Sequence, residues 1–302
     1  MSQARTTVAF IGLGNMGRPM AQRLLRAGYR LRLYARRPQA AQDLVVQGAL
    51  ALASPAEAAR DADFVVTNVT STDDVRQVLF GPDGAMQTAR RGAIVIDHST
   101  ISPAATRDMA LQLKSRDVAM LDCPVSGGVA GARDGTLTIM VGGEAAALDQ
   151  ARGLLEHVGR SITHVGPTGS GQVAKACNQI IQVITIQGIA EALRFAASQA
   201  VEPGRVLDAI RSGFAASRML ELMGPKMARR EFSAGIEARL HRKDFALVCE
   251  AAQQAGLRLP AVALVERQLA ALVEHGWGCD DTSSLLRVLE LAGERETEAG
   301  RS

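Results

Sequence analysis

Val8-Ala9-Phe10-Ile11-Gly12-Leu13-Gly14-Asn15-Met16-Gly17 is the stretch that decides the fold. Four apolar residues run straight into a glycine turn, and Arg18–Ala27 continues with helical periodicity. The order is strand, tight turn, helix. The glycines fit G-x-G-x-x-G. The first permits the turn, the second lets backbone approach a pyrophosphate, and the third allows helix and strand to pack closely. The helix start then offers N–H groups and a positive dipole end to phosphates. The hexad alone is weak evidence. After a strand and at a helix start it points to dinucleotide binding through Gly12, Leu13, Gly14, Asn15, Met16 and Gly17.

The pattern repeats outward from there. Short apolar runs at Leu31–Tyr34, Phe64–Thr67, Ile94–Asp97, Ala119–Asp122 and Thr136–Val141 read as strands. Asp73–Leu79 reads as a helix, as does Pro103–Lys114, entered through Ser102 as cap with Pro103 at its first position. Strand–helix alternation predicts a parallel, doubly wound sheet of Rossmann type over residues 1–165.

The second predicted strand ends Leu33-Tyr34-Ala35-Arg36-Arg37-Pro38. An Asp or Glu is expected about 20 residues past the glycines for the ribose hydroxyls of NAD. Ala35 stands there, and Arg36 and Arg37 follow. Guanidinium binds a 2′-phosphate that a carboxylate would repel, which favours NADP over NAD. Two solvated arginines, with NAD held through its diphosphate, give the same sequence. Asp97-His98-Ser99-Thr100 and Asp122-Cys123-Pro124-Val125-Ser126-Gly127-Gly128 fall at the carboxyl ends of predicted strands, where open α/β sheets bind ligands. Ser126, Gly127 and Gly128 offer a hydroxyl and N–H groups suited to a small carboxylate, or simply a hairpin turn.

From residue 166 to 302 the chain reads as helices, roughly over 171–200, 203–212, 217–229, 241–255, 261–275 and 281–292. Breaks are marked at Glu202-Pro203-Gly204, Gly224-Pro225, Gly256 to Pro260 and Gly276 to Gly278. The first helix would be about 45 Å long, enough to join two domains. Its start carries a polar seam in an apolar helix: Gln172, Lys175, Asn178, Gln179 and Gln182 share one face. A buried lysine is costly unless paired, neutralised or facing a wet cleft. Lys175 therefore serves chemistry or an ion pair, or it packs its stem and sends its head to solvent. Lys243, in His241-Arg242-Lys243-Asp244, reaches a cleft or lies on a solvated helix start.

Composition excludes other classes. Of 302 residues, 47% are hydrophobic and 22% charged, and the net charge is +3 with scattered arginines and 3% aromatics. That is no nucleic-acid footprint. The four cysteines are far apart, and neither they nor the five histidines have metal-ligand spacing, so no metal is expected and the thiols should be reduced. The apolar run at 180–189 is broken by Gln182 and Gln187, short of about 20 uninterrupted residues, and the N-terminus lacks a leader pattern. A soluble cytoplasmic protein with a frayed charged tail from Glu294 to Ser302 is expected.

Together the motifs resemble the β-hydroxyacid dehydrogenase family, which includes 3-hydroxyisobutyrate dehydrogenases and tartronate semialdehyde reductases. The matching blocks are FIGLGNMGRPMA at 10–21, DHSTISPA at 97–104, DCPVSGGVAGARDGTLTIMVGG at 122–143, GSGQVAKACNQI at 169–180 and HRKDF at 241–245. They occur in the family's order across nearly the whole chain. The resemblance implies that Lys175 is the catalytic lysine with Asn178 beside it. It implies that Ser126, Gly127 and Gly128 bind the substrate carboxylate, with Lys175, Asn178 and Gln179 also at the substrate. Gly12, Gly14 and Gly17 would hold the cofactor diphosphate, and Thr100 would lie on the nicotinamide side. Val69 and Thr70 would lie along the cofactor, where relatives usually have Leu-Pro. Lys243 matches the family's second cleft lysine. Asn178-Gln179, where many 3-hydroxyisobutyrate enzymes have two asparagines, looks more like the tartronate semialdehyde reductases. The expected chemistry is hydride transfer between NADP or NAD and a small semialdehyde or hydroxyacid, in a homodimer or homotetramer as in relatives. Imine reductases resemble the family but lack the lysine, as do its non-catalytic members. Phe214 and Ser217 are candidates for the far end of the substrate.

Overall fold

The computed structural model describes residues 6–233 and 235–291. The expected frayed tail at 294–302 and the end of the last predicted helix at 292 lie outside the described residues. The chain forms two compact units, Met1–Lys175 and Ala176–Ser302.

In the first unit β1 (Thr7–Ile11) leads to α1 (Gly17–Arg26) and β2 (Arg30–Tyr34). A short helix α2 (Gln42–Val46), β3 (Leu50–Ala51), α3 (Pro55–Ala59), β4 (Phe64–Thr67) and α4 (Thr72–Phe80) follow. Then come β5 (Ile94–Asp97), α5 (Pro103–Lys114), β6 (Ala119–Asp122), β7 (Val125–Ser126), α6 (Gly128–Asp134), β8 (Leu137–Gly142), α7 (Ala145–Leu155) and β9 (Gly159–Gly166). The sheet order is β3-β2-β1-β4-β5-β6-β8-β7, with β9 paired to β8. From β3 to β6 all pairs are parallel. The order reverses between β1 and β4, which opens a crevice at their carboxyl ends.

Strand periodicity accounts for two cores. Val8, Phe10, Leu33, Val66, Ile96 and Leu121 are buried on one face of the sheet. Ala9, Ile11, Val65, Val95 and Met120 are buried on the other. Side chains alternate along a strand, so a strand covered on both faces is apolar throughout. Each fully buried large aliphatic chain contributes about 1.5–3 kcal/mol.

The parallel pattern breaks at β8, which runs antiparallel to β6 and β7. A parallel pairing needs a crossover of a dozen or more residues, usually a helix. Here the connection is occupied by β7, the glycine turn and the short α6. Three strands (β3, β7, β9) and four helices (α2, α3, α6, α7) were not expected from the sequence. The strands are too short or too polar to show alternation, and the buried face of α7 is partly alanine, which weakens contrast.

The second unit is helical. It contains most of α8 (Ser170–Ser198), then α9 (Pro203–Ile210), α10 (Arg218–Arg229), α11 (Ala238–Gln254), α12 (Pro260–Glu274) and a last helix over 285–291. Val183, Ile186, Ala190 and Leu193 of α8 pack with Leu220, Met223, Phe245, Val265 and Leu269 in one core. Among the described residues α8 is the one helix long and apolar enough to span a bilayer, with a mean hydropathy of 1.4. It reaches that average although glutamines interrupt the run, and its buried side supplies this core. The expected break at Gly224-Pro225 does not occur, because α10 runs through both residues. A Cβ at Gly224 would sit 2.7 Å from the Leu207 side chain, so the glycine serves the packing of α10 on α9 rather than a turn.

Candidate functional site

The turn after β1 is built as the glycine spacing requires. Gly12 has φ +100°, and a Cβ there would stand 2.2 Å from the Asn68 carbonyl oxygen. A Cβ on Gly17 would be 2.0 Å from the Gly12 carbonyl oxygen and 3.2 Å from the Phe10 ring. Gly14 meets no atom within 4 Å. The first and third glycines are thus demanded by protein packing, while the space at the second is open to a ligand. The first turn of α1 has no capping side chain and no acidic residue, so its N–H groups and dipole favour an anion. Leu13 is buried, Asn15 is exposed and Met16 is half-buried. These features fit the diphosphate of a dinucleotide.

Arg36 and Arg37 are exposed after β2. Arg36 pairs at 3.6 Å with Asp74, whose carboxylate also completes the capping box of α4 with Ser71. After β4, the Val69 N–H donates to Ser99 Oγ at 3.0 Å, and Thr70 is exposed. Thr100 is half-buried on the loop after β5. The residues expected at the cofactor, Lys243 apart, therefore sit on loops at the carboxyl ends of β1, β2, β4 and β5.

Lys175 lies on the second turn of α8 and is only 8% exposed. Its Nζ donates to the Val125 carbonyl at 3.0 Å. That carbonyl immediately precedes Ser126, Gly127 and Gly128. Gly127 and Gly128 both have positive φ, +134° and +62°, which turns the backbone N–H groups into a tight bend. The lysine and the loop expected to take the carboxylate are therefore adjacent within the first unit. Ser126–Gly128 is not a simple hairpin turn: β7 forms a short antiparallel pair with β8, but the glycines turn into α6, which lies between the two strands.

Two buried carboxylates that sequence reasoning left without a role organise this region. Asp122, at the end of β6, accepts from the Gly169 N–H at 2.8 Å and the Gln172 N–H at 2.9 Å. Burial raises its pKa above the usual carboxylate value, and those N–H groups oppose the rise. Asp97, at the end of β5, accepts from Thr67 Oγ1 at 2.8 Å and the Ser99 N–H at 3.0 Å. Its other oxygen is buried without a partner. Burial pushes its pKa up to about 6 against the pull of Ser99 and Thr67. Gln172 is also part of the frame: its Nε2 donates to the Ser99 carbonyl at 2.8 Å, and its Oε1 accepts from the Ile101 N–H at 3.1 Å. The available signal was a carboxylate closing an otherwise apolar buried strand, at both Asp97 and Asp122.

In the second unit Asn178, Gln179 and Lys243 join one network with Asp244. Gln179 Nε2 donates to Asp244 Oδ2 at 2.6 Å, and Lys243 Nζ pairs with Asp244 Oδ1 at 3.0 Å. Asn178 Nδ2 donates to Gln179 Oε1 at 2.8 Å and Gln182 Oε1 at 3.2 Å. A carboxylate only accepts, so Gln179 must turn its amide nitrogen to Asp244 and its oxygen to Asn178. Asn178 then keeps its own oxygen on the opposite side, as an acceptor.

Ser217 is the N-cap of α10, accepting from the Leu220 N–H at 3.0 Å, while Phe214 is fully exposed. His98 is buried with Nδ1 on the Cys123 carbonyl, and burial lowers its pKa to about 4, so it is neutral near pH 7. His241 is buried against Thr282 Oγ1 at 2.7 Å. Among the described residues no His, Cys, Asp or Glu cluster could hold a metal.

Known proteins resemble this chain over most of its length. Residues 7–166 match the family described as the NAD binding domain of 6-phosphogluconate dehydrogenase. Residues 169–289 match that described as NAD-binding of NADP-dependent 3-hydroxyisobutyrate dehydrogenase. A 2-hydroxy-3-oxopropionate reductase of Escherichia coli strain K12 is 39% identical over 94% of this chain and 97% of its own. The chain belongs to the β-hydroxyacid dehydrogenase family. An NAD-dependent L-serine dehydrogenase of Pseudomonas aeruginosa is 37% identical over 94% of this chain and 97% of its own. A solved 3-hydroxyisobutyrate dehydrogenase of Mycobacterium tuberculosis with L-serine superposes with a TM-score of 0.87 at 32% identity, covering 94% of this chain and 99% of that one. The protein is an NAD(P)-dependent dehydrogenase acting on the CH–OH group of small hydroxyacids.

Proposed function

We propose that the protein is an NADPH-preferring reductase of small semialdehyde acids, with 2-hydroxy-3-oxopropionate as its substrate. The observation that carries this is the buried Lys175 ammonium hydrogen-bonded to Val125, next to the Ser126–Gly128 bend. The 39% identity to the Escherichia coli reductase supports the substrate. Exposed Arg36 and Arg37, with Ala35 where a ribose-binding carboxylate would stand, support NADPH.

In this reading the Ser126 hydroxyl and the Gly127 and Gly128 N–H groups hold the substrate carboxylate. Gly12, Gly14, Gly17 and the open start of α1 hold the cofactor diphosphate, and Arg36 and Arg37 its 2′-phosphate. Leu13, Asn15, Met16, Val69, Thr70 and Thr100 line the rest of the cofactor site in the first unit. The nicotinamide, when bound, supplies the hydride. Lys175 donates a proton to the aldehyde oxygen, and the alcohol results; in oxidation it takes that proton back. The Val125 carbonyl fixes the amine. Asn178, one helical turn on, presents an acceptor oxygen, and Gln179 holds that orientation.

Lys175→Met tests the assignment. Turnover should fall by about 10²–10⁴-fold, the range for general acid–base groups, with NADPH affinity unchanged. Turnover within tenfold of the wild type would overturn it. A panel of tartronate, methylmalonate and succinate semialdehydes, glyoxylate and L-serine, each with both cofactors, tests the substrate. A higher kcat/KM with NADH would overturn the cofactor preference. L-serine is included because two relatives are named or crystallised with it.

We further propose a cytosolic homo-oligomer. The four cysteines are free, as in a reducing compartment, and the outer side of α8 carries exposed apolar residues.

A further inference from the structure

We propose that Asp122 and Gln172 are positioning residues for Lys175, a clasp that sets the place of the amine; this deepens the general-acid reading and rests on it. Gly169, the residue just before α8, has no side chain with which to cap the helix. The cap comes from β6. Both oxygens of Asp122 accept backbone N–H groups, Oδ1 from Gly169 and Oδ2 from Gln172. The carboxylate is completely buried. A proton on either oxygen would compete with one of those bonds, so the geometry fits the anion, which the helix N-terminus also favours.

The surroundings are shaped around that carboxylate. A Cβ on Gly142 would lie 2.5 Å from Asp122 Oδ1. A Cβ on Gly171 would lie 2.4 Å from the Asp122 carbonyl oxygen and 2.8 Å from Oδ2. Neither glycine has positive φ, so each is held by the closeness of Asp122 rather than by its own conformation. Two backbone segments, at Gly142 and at Gly169–Gln172, thus close on one side chain.

Gln172 makes the second arm. Its amide spans the Ser99 carbonyl and the Ile101 N–H, which fastens the same helical turn to the loop after β5. The third fixed point is the lysine head on the Val125 carbonyl, three residues beyond Asp122 in the chain. The loops leaving β5 and β6 therefore grip the first turn of α8 in two places and the amine in a third. None of these groups besides Lys175 is placed at the reacting atoms. Their effect must pass through the position of the amine, where a shift of about 1 Å can cost on the order of a hundredfold in rate.

A double-mutant cycle tests this. Asp122→Asn keeps the shape but offers only one accepting oxygen. Gln172→Met keeps the length and removes both side-chain bonds. Each should lower kcat by about 30- to 300-fold, with the substrate KM, the NADPH dissociation constant and the stoichiometry of bound NADPH unchanged. Each should lose less than about threefold more when added to Lys175→Met, because a residue acting through the lysine has nothing left to position. Faster exchange of the amide at Gln172 should accompany the loss. An equal loss in both backgrounds would show a general structural role and overturn the proposal, as would wild-type kcat in either variant. Should Asp122→Asn not fold, Gln172→Met carries the same cycle. If Lys175→Met itself keeps its turnover, the general-acid reading fails instead, and that single variant tells the two failures apart.

Discussion

Asp97 is a residue whose protonation the fold alters. It is fully buried, one oxygen has two donors and the other has none. Its pKa rises from 3.8 to about 6. Below the lower value both folded and unfolded chains hold the proton, and the group contributes nothing. Between the two values the native state keeps a proton that the unfolded chain releases. Stability therefore falls as pH rises through this window, and the full cost stands above about pH 6. A rise of that size corresponds to about 3 kcal/mol. Asp97→Asn removes the titration. Urea unfolding between pH 4 and 7 should show the wild type losing about 1–3 kcal/mol relative to this variant as pH rises. Parallel curves for the two proteins would contradict the assignment. Little of this was legible beforehand. Lys175 could be picked out because a charge in an apolar helix is conspicuous. Asp97 and Asp122 sit at strand ends, where polar residues are ordinary, and only their partners from other loops give them meaning.

At the level of elements, the β1–α1 turn separates two jobs that the glycine motif combines. Gly12 is strained for any other residue, with positive φ and a carbonyl in the way of a Cβ. Gly12→Ala should cost about 2–4 kcal/mol of stability, from backbone strain and overpacking together. Gly14 has open space before it. Gly14→Val should leave the melting temperature within a few degrees and weaken NADPH binding on the order of a hundredfold, equivalent to about 3 kcal/mol of lost phosphate contacts. Calorimetric melting and fluorescence titration read the two effects apart. Equal destabilisation by both would mean that the second glycine also serves packing. The elements themselves were legible to different degrees. Phe64–Thr67, Ile94–Asp97 and Ala119–Asp122 coincide with β4, β5 and β6 because strands buried on both faces are unbroken apolar runs. Pro103–Lys114 coincides with α5 because Ser102 and Pro103 mark its start, and Ser102 Oγ indeed accepts from the Ala105 N–H. The reversal of β8 was hidden, since apolar alternation carries no direction. Gln172 was visible on the polar face of α8, but its partners on the loop after β5 are 71 and 73 positions away.

For the molecule as a whole, α8 does two things along its length. One side buries Val183, Ile186, Ala190 and Leu193 in the second unit's core. The other leaves Val173, Cys177, Ile181 and Phe195 exposed, with Gly188 and Ala192 between them. Positions 173, 177, 181, 188, 192 and 195 follow one helical stripe. Lys175 is buried, so no charged side chain faces outward from Val173 to Ala190. Ile181 is 70% exposed and Phe195 is 68% exposed. A contiguous apolar face on a helix about 43 Å long is uncommon on a monomer. It is self-complementary in chemistry: small residues let two helices approach, and large ones fill the remaining gaps. A second copy of the chain, packed through this stripe, is the occupant that needs no opposite charge. Ile181→Glu places a carboxylate in the middle of that face and touches none of the groups around Lys175. Light scattering at micromolar concentration should give an oligomer for the wild type and about half its mass, or less, for Ile181→Glu, since one buried unpaired charge costs several kcal/mol in each interface. A monomeric wild type would remove the case for this interface outright, and an unchanged mass for the variant would move the contact to another face.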